Sequence, residues 1–349
     1  MIENNVFNNN MLKLMGYEND SKNVIISPLS IKIALGMLLN GCIGKSKEEL
    51  ESLLGVNAEL LNQEIKRIIE SSGDEVKYAN VLWFDYPNKE KEEFRRILEE
   101  YYKSEIRVDD FSKPNMVDTI NNWVSEHTNQ LIKEVLKMLS SKSLLINTLY
   151  FKAAWSNPIS EYSTYDDVFH GINGDKTVKM MRPYSSSYFE NDYAKGFSLY
   201  YDECPYQFVA ILPNKKGNFK IEDLDLNSFH IMDGDYAVEA VFPRLDVDFD
   251  TDLVNSFKKM NIISLFQNQN DLINMLETPQ IVDRIIHMTK LKLDENGTEA
   301  AAATVIMTRD GASFHVPTRV VLKFDRPFAF MINNYRTNEI LFIGKIVDL

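Results

Sequence analysis

The period of apolar and polar positions changes several times along the chain, and each change marks an element. Asn23 to Gly41, NVIISPLSIKIALGMLLNG, reads as a short strand and then a helix with marked ends. Ser27 is a good N-cap, Pro28 suits the first helical position, and Gly41 falls where a helix stops. Ser46 to Leu54 predicts another helix, opened by the capping pair Ser46 and Glu49, and Glu64 to Ser71 continues as helix. Residues 1–22 ahead of these form a polar, partly helical lead-in. Val76 to Phe84, VKYANVLWF, has the β-branched and aromatic content of a buried strand. Pro87 to Tyr102 is charged and helical in period, and Met116 to Ile132 puts Val117, Ile120, Trp123, Val124 and Leu131 on one helical face. Ser143 to Trp155, SLLINTLYFKAAW, is apolar enough for a central strand covered on both faces.

Two polar residues interrupt these apolar runs. Asn147, inside the central strand, needs hydrogen-bond partners or costs roughly 1–3 kcal/mol. His287, in the apolar run IVDRIIHMTKLKLDE, is its natural partner. The stretch Leu291 to Pro327 breaks the pattern differently. Alternating Leu291 and Leu293 predict a strand; Gly297 ends it; Thr298, Glu299 and Ala300 to Ala303 follow, then a β-leaning run, the charged tip Arg309 and Asp310, and a second strand from Thr318 to Phe324. TEAAAAT reads as a short helix by propensity. A helix this short is marginal alone, and its small side chains equally suit a strand slipped between two existing strands.

Composition narrows the function. The 349 residues are 44% apolar, with a net charge of −13; no basic stripe is available for phosphates, which argues against nucleic acid. Cys42 and Cys204 lack metal-ligand spacing, and two reduced thiols are expected, with one disulfide as the alternative. The N-terminus has no signal-peptide pattern, and no stretch approaches the roughly 20 apolar residues that span a bilayer. A soluble, cytoplasmic protein without membrane contacts is expected. The sequons at Asn19 and Asn296 are read as chance matches. G-x-S-x-G, H-E-x-x-H, G-x-x-x-x-G-K-[ST] and C-x-x-C are all absent, and the five histidines show no metal-ligand spacing. The expectation is a protein that is not an enzyme and holds no metal or cofactor.

DENGTEAAAAT, followed by FDRPFAFMI and LFIGKIVDL, resembles the hinge, reactive-centre loop and C-terminal hairpin of the serpins. NVIISPLS, the N-x-x-Y-F-K-x-x-W ending at Trp155, VKMMRP, FVAILPNKKG and AVFPRLDV extend the resemblance over nearly everything from Asn23 to Leu349. It implies an α+β fold of three β-sheets with about eight or nine helices, one domain over residues 1–349 and an exposed loop over about 296–317. By the same resemblance Ser27, Ser30, Asn147 and His287 form the polar shutter beneath the main sheet. Trp155 marks the breach where the loop enters, and Arg244 pairs with the hinge residue Glu295, a pair worth about 0–1 kcal/mol if exposed.

The implied activity is suicide inhibition of a protease in a covalent 1:1 complex by a monomer. The target attacks the loop, and the severed strand then inserts into the main sheet. Glu295, Gly297, Thr298, Glu299 and Ala300, Ala301, Ala302 and Ala303 make a hinge of the small residues that insertion needs, with Glu299 turned outward by alternation. A loop one residue shorter than the commonest serpin length puts the scissile bond at Asp310–Gly311, with Met307, Thr308 and Arg309 as recognition residues. That length and the TEAAAAT…D-x-A-S pattern are similar to the poxvirus cytokine response modifier A. They imply a viral inhibitor of caspase-1-like proteases or granzyme B in the host cytoplasm, acting on inflammation and apoptosis. Cleavage after Arg309 by a trypsin-like protease is the alternative, Gly311 is the acyl residue for the commonest loop length, and a non-inhibitory binding serpin is the other class.

Overall fold

The computed structural model describes residues 6–18, 21–232, 236–299 and 317–349. Within them the α+β architecture expected from the sequence is present, as three β-sheets and seven α-helices with short 3-10 and π turns. The lead-in is more than polar: helix Val6–Tyr17 buries Phe7, Met11, Leu12, Leu14 and Met15. Strand Val24–Ile26 then runs into helix Pro28–Gly41, capped as the sequence predicts, with the Ser27 side chain accepting from the Ser30 amide.

The next helix differs from expectation. It spans Gly44–Leu54 with Ile43 at its cap, and the capping pair Ser46 and Glu49 does not form. Asp271, distant in sequence, accepts from the Ser46 amide at 2.9 Å, which frees the Glu49 carboxylate to bind the Ile263 and Ser264 amides. Helix Ala58–Ser71 starts earlier than predicted because Asn57 caps it. The charged segment after Pro87 becomes helical only at Glu92–Ile97, extended by a π turn to Tyr102, and helix Met116–His127 stops short of Leu131. Cys42 and Cys204 are both free. No helix of the described residues is long and apolar enough to cross a membrane.

The main sheet positions the site. Its central strand Ser143–Phe151 pairs antiparallel with Val76–Asp85 on one side and parallel with Arg284–Asp294 on the other. Leu245–Asp252 lines the far edge of Arg284–Asp294, and its alternation places Leu245 and Val247 inward and Asp246 and Asp248 in solvent. The sheet's inner face joins the large core shared with the seven-stranded C-terminal sheet. Its outer face carries a separate cluster, with Trp83, Ile120, Trp123, Leu144, Ile146 and Ile286 packed together under helix Met116–His127. The central strand Ser143–Phe151 is therefore buried at every position, which explains its almost unbroken apolar sequence.

Candidate functional site: the seam of the main sheet

The central strand and Arg284–Asp294 are hydrogen-bonded neighbours only from Leu144 opposite Arg284 to Thr148 opposite Met288. Above that rung they part. At the top the gap is filled by Gly297–Thr298, which pairs with Leu293 and Asp294 on one side and with Ala153 and Ala154 on the other. The first residues after the Glu295–Asn296 turn thus already form a short strand inside the sheet. Among the described residues, no strand pairs between 149–152 and 289–292.

The top is held by named contacts. Gly297 has φ +148°, and a Cβ there would lie 2.2 Å from the Ala153 carbonyl oxygen, so no other residue fits this approach. Thr298 is buried, and its hydroxyl lies 2.6 Å from that of Tyr201. Tyr201 stacks on Trp155 at 4.5 Å, and burial pushes its phenol pKa up. Trp155 bonds the turn twice, through its backbone amide to the Asn296 carbonyl and through its indole N–H to the Asp294 carbonyl, both at 2.9 Å. The short strand ends at Thr298: the Glu299 amide still donates to the Lys292 carbonyl at 3.1 Å, but its φ is +53°. A left-handed glutamate cannot continue the strand.

Arg244 and Glu295 meet beside this turn. The Arg244 Nε lies 3.0 and 2.9 Å from the two carboxylate oxygens, and Thr164 donates its hydroxyl to the same group. The pair is not the exposed one the sequence suggests, since the Glu295 side chain is only 2% exposed against 44% for Arg244. Burial alone would raise the Glu295 pKa; the bonds from Arg244 and Thr164 outweigh it and hold the carboxyl below its usual range.

Lower on the seam, register gathers the polar residues. His287 stands opposite Asn147, and Asn147 opposite Asn80, so one rung across three strands is polar. All three are at most 3% exposed. The Ser27 amide donates to His287 Nε2 at 3.1 Å, so Nδ1 carries the proton and donates to Asn147 Oδ1 at 2.7 Å. Asn147 Nδ2 reaches the Ser30 carbonyl, the Ser30 hydroxyl and Asn80 Oδ1. Burial lowers the His287 pKa to about 3, keeping the ring neutral, as the Ser27 bond requires. Two buried atoms at this level, Asn80 Nδ2 and Thr148 Oγ1, have no partner among the described residues.

Ser27, Ser30, Asn147 and His287 are thus in one network, and Trp155, Arg244, Glu295, Gly297, Thr298 and Glu299 in another. Ala300 to Ala303, Met307, Thr308, Arg309, Asp310 and Gly311 lie outside the described residues. Sequence reasoning missed Asn80, Thr164 and Tyr201. Asn80 had a signal: it interrupts the apolar run YANVLWF as Asn147 interrupts its own strand. Thr164 and Tyr201 carry none, because only the tertiary fold brings them to the hinge.

A family model described as Serpin (serine protease inhibitor) matches residues 2–349. An uncharacterized serpin-like protein of Methanosarcina mazei is 30% identical over 94% of this chain and 82% of its own, and Serpin-Z3 of Arabidopsis thaliana is 29% identical over 94% and 92%. Among solved structures, the thermophilic serpin tengpin in its native state aligns with a TM-score of 0.87 at 26% identity, covering all of this chain and 95% of that one. Arabidopsis AtSerpin1 in its native stressed conformation aligns at 0.83 and 26% identity, covering 98% and 96%.

Proposed function

The chain belongs to the serpin family, and from that premise we propose that it is a suicide-substrate protease inhibitor, one domain over residues 1–349, whose loop is cleaved at Asp310–Gly311 and then inserts into the main sheet. The observation that carries this is the register of Gly297–Thr298. Pairing of Thr298 with both Leu293 and Ala153, if continued down the two strands on insertion, would set residue 302 between Leu149 and Thr289, residue 304 between Asn147 and His287, and residue 306 between Leu145 and Ile285. Even-numbered residues take the inner face, as Thr298 does toward Tyr201. Small Ala300 and Ala302 would fill the unpaired length. Thr304, a polar residue, would meet the polar rung, and Ile306 the apolar rung below it. The loop sequence is therefore written in the register of the seam.

In this mechanism the target enzyme supplies the nucleophile and forms an acyl bond to the residue preceding the cut. Insertion of about fourteen residues at about 3.3 Å each would carry it roughly 45–50 Å from its docking position. The strand gains hydrogen bonds on both edges, and that gain drives the step before hydrolysis can complete. Glu295, Gly297, Thr298, Glu299 and Ala300 to Ala303 act as the hinge, Trp155 and Arg244 as its anchor, and Ser27, Ser30, Asn147 and His287 as the lock that must part.

Aspartate at 310 directs the inhibitor to caspase-1-like proteases or granzyme B, whose specificity pockets pair basic groups with a carboxylate; Met307, Thr308 and Arg309 fill the adjoining subsites. The further step, a virus-encoded suppressor of inflammation and apoptosis in the host cytoplasm, rests on the similarity of this loop to a poxvirus one. Arg309 makes a trypsin-like target the second reading. Intact mass after brief incubation with caspase-1, granzyme B and trypsin in parallel tests all of this. The expected product is a covalent 1:1 adduct cut after Asp310. An adduct cut after Arg309 would move the target to trypsin-like enzymes, and cleavage by all three without an adduct would overturn the inhibitory reading for these proteases.

A further inference from the structure

The sequon at Asn296 is also an Asn-Gly dipeptide, and the chain holds three of these, at Asn40–Gly41, Asn173–Gly174 and Asn296–Gly297. Such a pair can react with itself. Glycine has no side chain to shield its peptide nitrogen, so that nitrogen can attack the neighbouring carboxamide wherever the asparagine is free to turn toward it. The three differ in that freedom. Asn40 lies in helix Pro28–Gly41, with its Nδ2 bonded to the Gly36 carbonyl, Asn62 and the Tyr102 hydroxyl. Asn173 donates to the Asp348 carboxylate at 3.0 Å. The Asn296 carboxamide is half-buried and makes no hydrogen bond among the described residues, although its backbone amide donates to the Asp294 carboxylate at 2.8 Å. Gly297 begins a strand of two residues, so fraying of one turn exposes its amide.

We propose that Asn296–Gly297 is a self-modification site whose product unseats the hinge, so that the chain loses its insertion-ready state with age. The reaction consumes one water and releases one ammonia. Solvent takes the Gly297 amide proton, the nitrogen attacks Asn296 Cγ to close a cyclic imide, and the Cγ–Nδ2 bond breaks as the leaving ammonia takes up a proton. Water then opens the ring. Opening at Cγ gives aspartate, whereas opening at the main-chain carbonyl routes the backbone through the side chain as isoaspartate, longer by one methylene. The turn has no room for that atom. The Asn296 carbonyl accepts from the Trp155 amide at 2.9 Å, and Gly297 passes so near Ala153 that a Cβ would lie 2.2 Å from its carbonyl oxygen. A longer main chain must give up the Trp155 bond or slide Thr298 away from Tyr201, where the two hydroxyls are 2.6 Å apart. Either change takes the loop out of the register of the seam.

The consequence rests on the insertion reading, but the test needs no protease. The full chain would be aged at mildly alkaline pH, with peptide mass mapping and an isoaspartate assay at each asparagine, and with hydrogen exchange followed at the Trp155 and Glu299 amides. Conversion of Asn296 is expected ahead of Asn173, with Asn40 unchanged, and exchange at both amides should speed about tenfold in the converted fraction. Asn296→Gln, whose longer side chain closes the ring poorly, should keep both amides protected through the same ageing. Asn296→Asp adds the charge without the methylene and should also stay protected; faster exchange there would overturn the role given to chain length. Conversion of Asn173 with Asn296 intact, or conversion of Asn296 without faster exchange, would overturn the proposal. Failure of the fresh chain to trap a protease would count against the function above and leave these results standing.

Discussion

The two ends of the same seam are built on opposite principles. At the Asn147–His287 rung the strands are joined directly, and the polar groups there are neutral, fully buried and tied into the helix that starts at Pro28. At the Gly297–Thr298 end the strands are parted, a third segment lies between them, and the anchor is a charged pair with its arginine half in solvent. A sheet closed by neutral hydrogen bonds at one level and already entered at the other is arranged to open in one direction. Among the described residues, Asn80 Nδ2 and Thr148 Oγ1 at the closed level have no partner, so the lock is incompletely satisfied there, at a cost of about 1–3 kcal/mol each.

The largest expected effect comes from blocking travel between the two regions. Ala302→Pro would put a residue with no amide proton where the strand must pair on both sides, a penalty of about 3 kcal/mol or more. The trapped fraction, read by gel or mass, should fall about a hundredfold while cleavage continues. Undiminished trapping would mean that insertion is not the mechanism.

Breaking the open end comes next. Arg244→Ala leaves the buried Glu295 carboxylate with Thr164 as its side-chain donor among the described residues. Because Arg244 is half exposed and water replaces part of its bond, a loss of about 2–3 kcal/mol is expected in urea unfolding. A change below about 0.5 kcal/mol would return the pair to the surface class. The closed end is sharpened by pH. His287 is neutral in the folded chain down to about 3, against an ordinary value of 6.5. Between those values the unfolded chain binds a proton that the folded chain does not. Its contribution is thus fully present above about pH 6.5 and is lost as pH falls toward 3, by about 1.4 kcal/mol per unit at most. Replacing His287 with glutamine should flatten that portion of the stability profile; an unchanged slope would assign it to other groups.

The smallest effect has the opposite sign. Thr148→Val keeps the shape and removes the unpartnered hydroxyl, and about 1 kcal/mol of stabilisation is expected in the same urea measurement. Destabilisation would show that the hydroxyl has a partner.

The closed end was far more legible in sequence than the open one. A polar residue within an apolar strand is conspicuous, and Asn147 with His287 could be paired from that alone; Asn80 carried the same signal. The Ser27 cap was equally local. At the open end sequence supplied the small hinge residues and the Arg244–Glu295 partnership, through resemblance, but not their burial, which depends on Thr164 and Tyr201 arriving from segments distant in sequence. Nor could it supply the depth of insertion. That follows from a left-handed Glu299, a conformation glutamate's local propensity opposes. The misplaced Ser46–Glu49 cap has the same origin, since Asp271 displaced a local partner by tertiary contact.

The central claim is that both regions belong to one register, continued by the loop. The structure of the chain after cleavage at Asp310–Gly311 tests it most directly. The account predicts a new strand with Thr304 between Asn147 and His287 and Ile306 between Leu145 and Ile285. A strand shifted by one residue, which would turn Thr304 to the outer face, or a cleaved loop left outside the sheet, would contradict it.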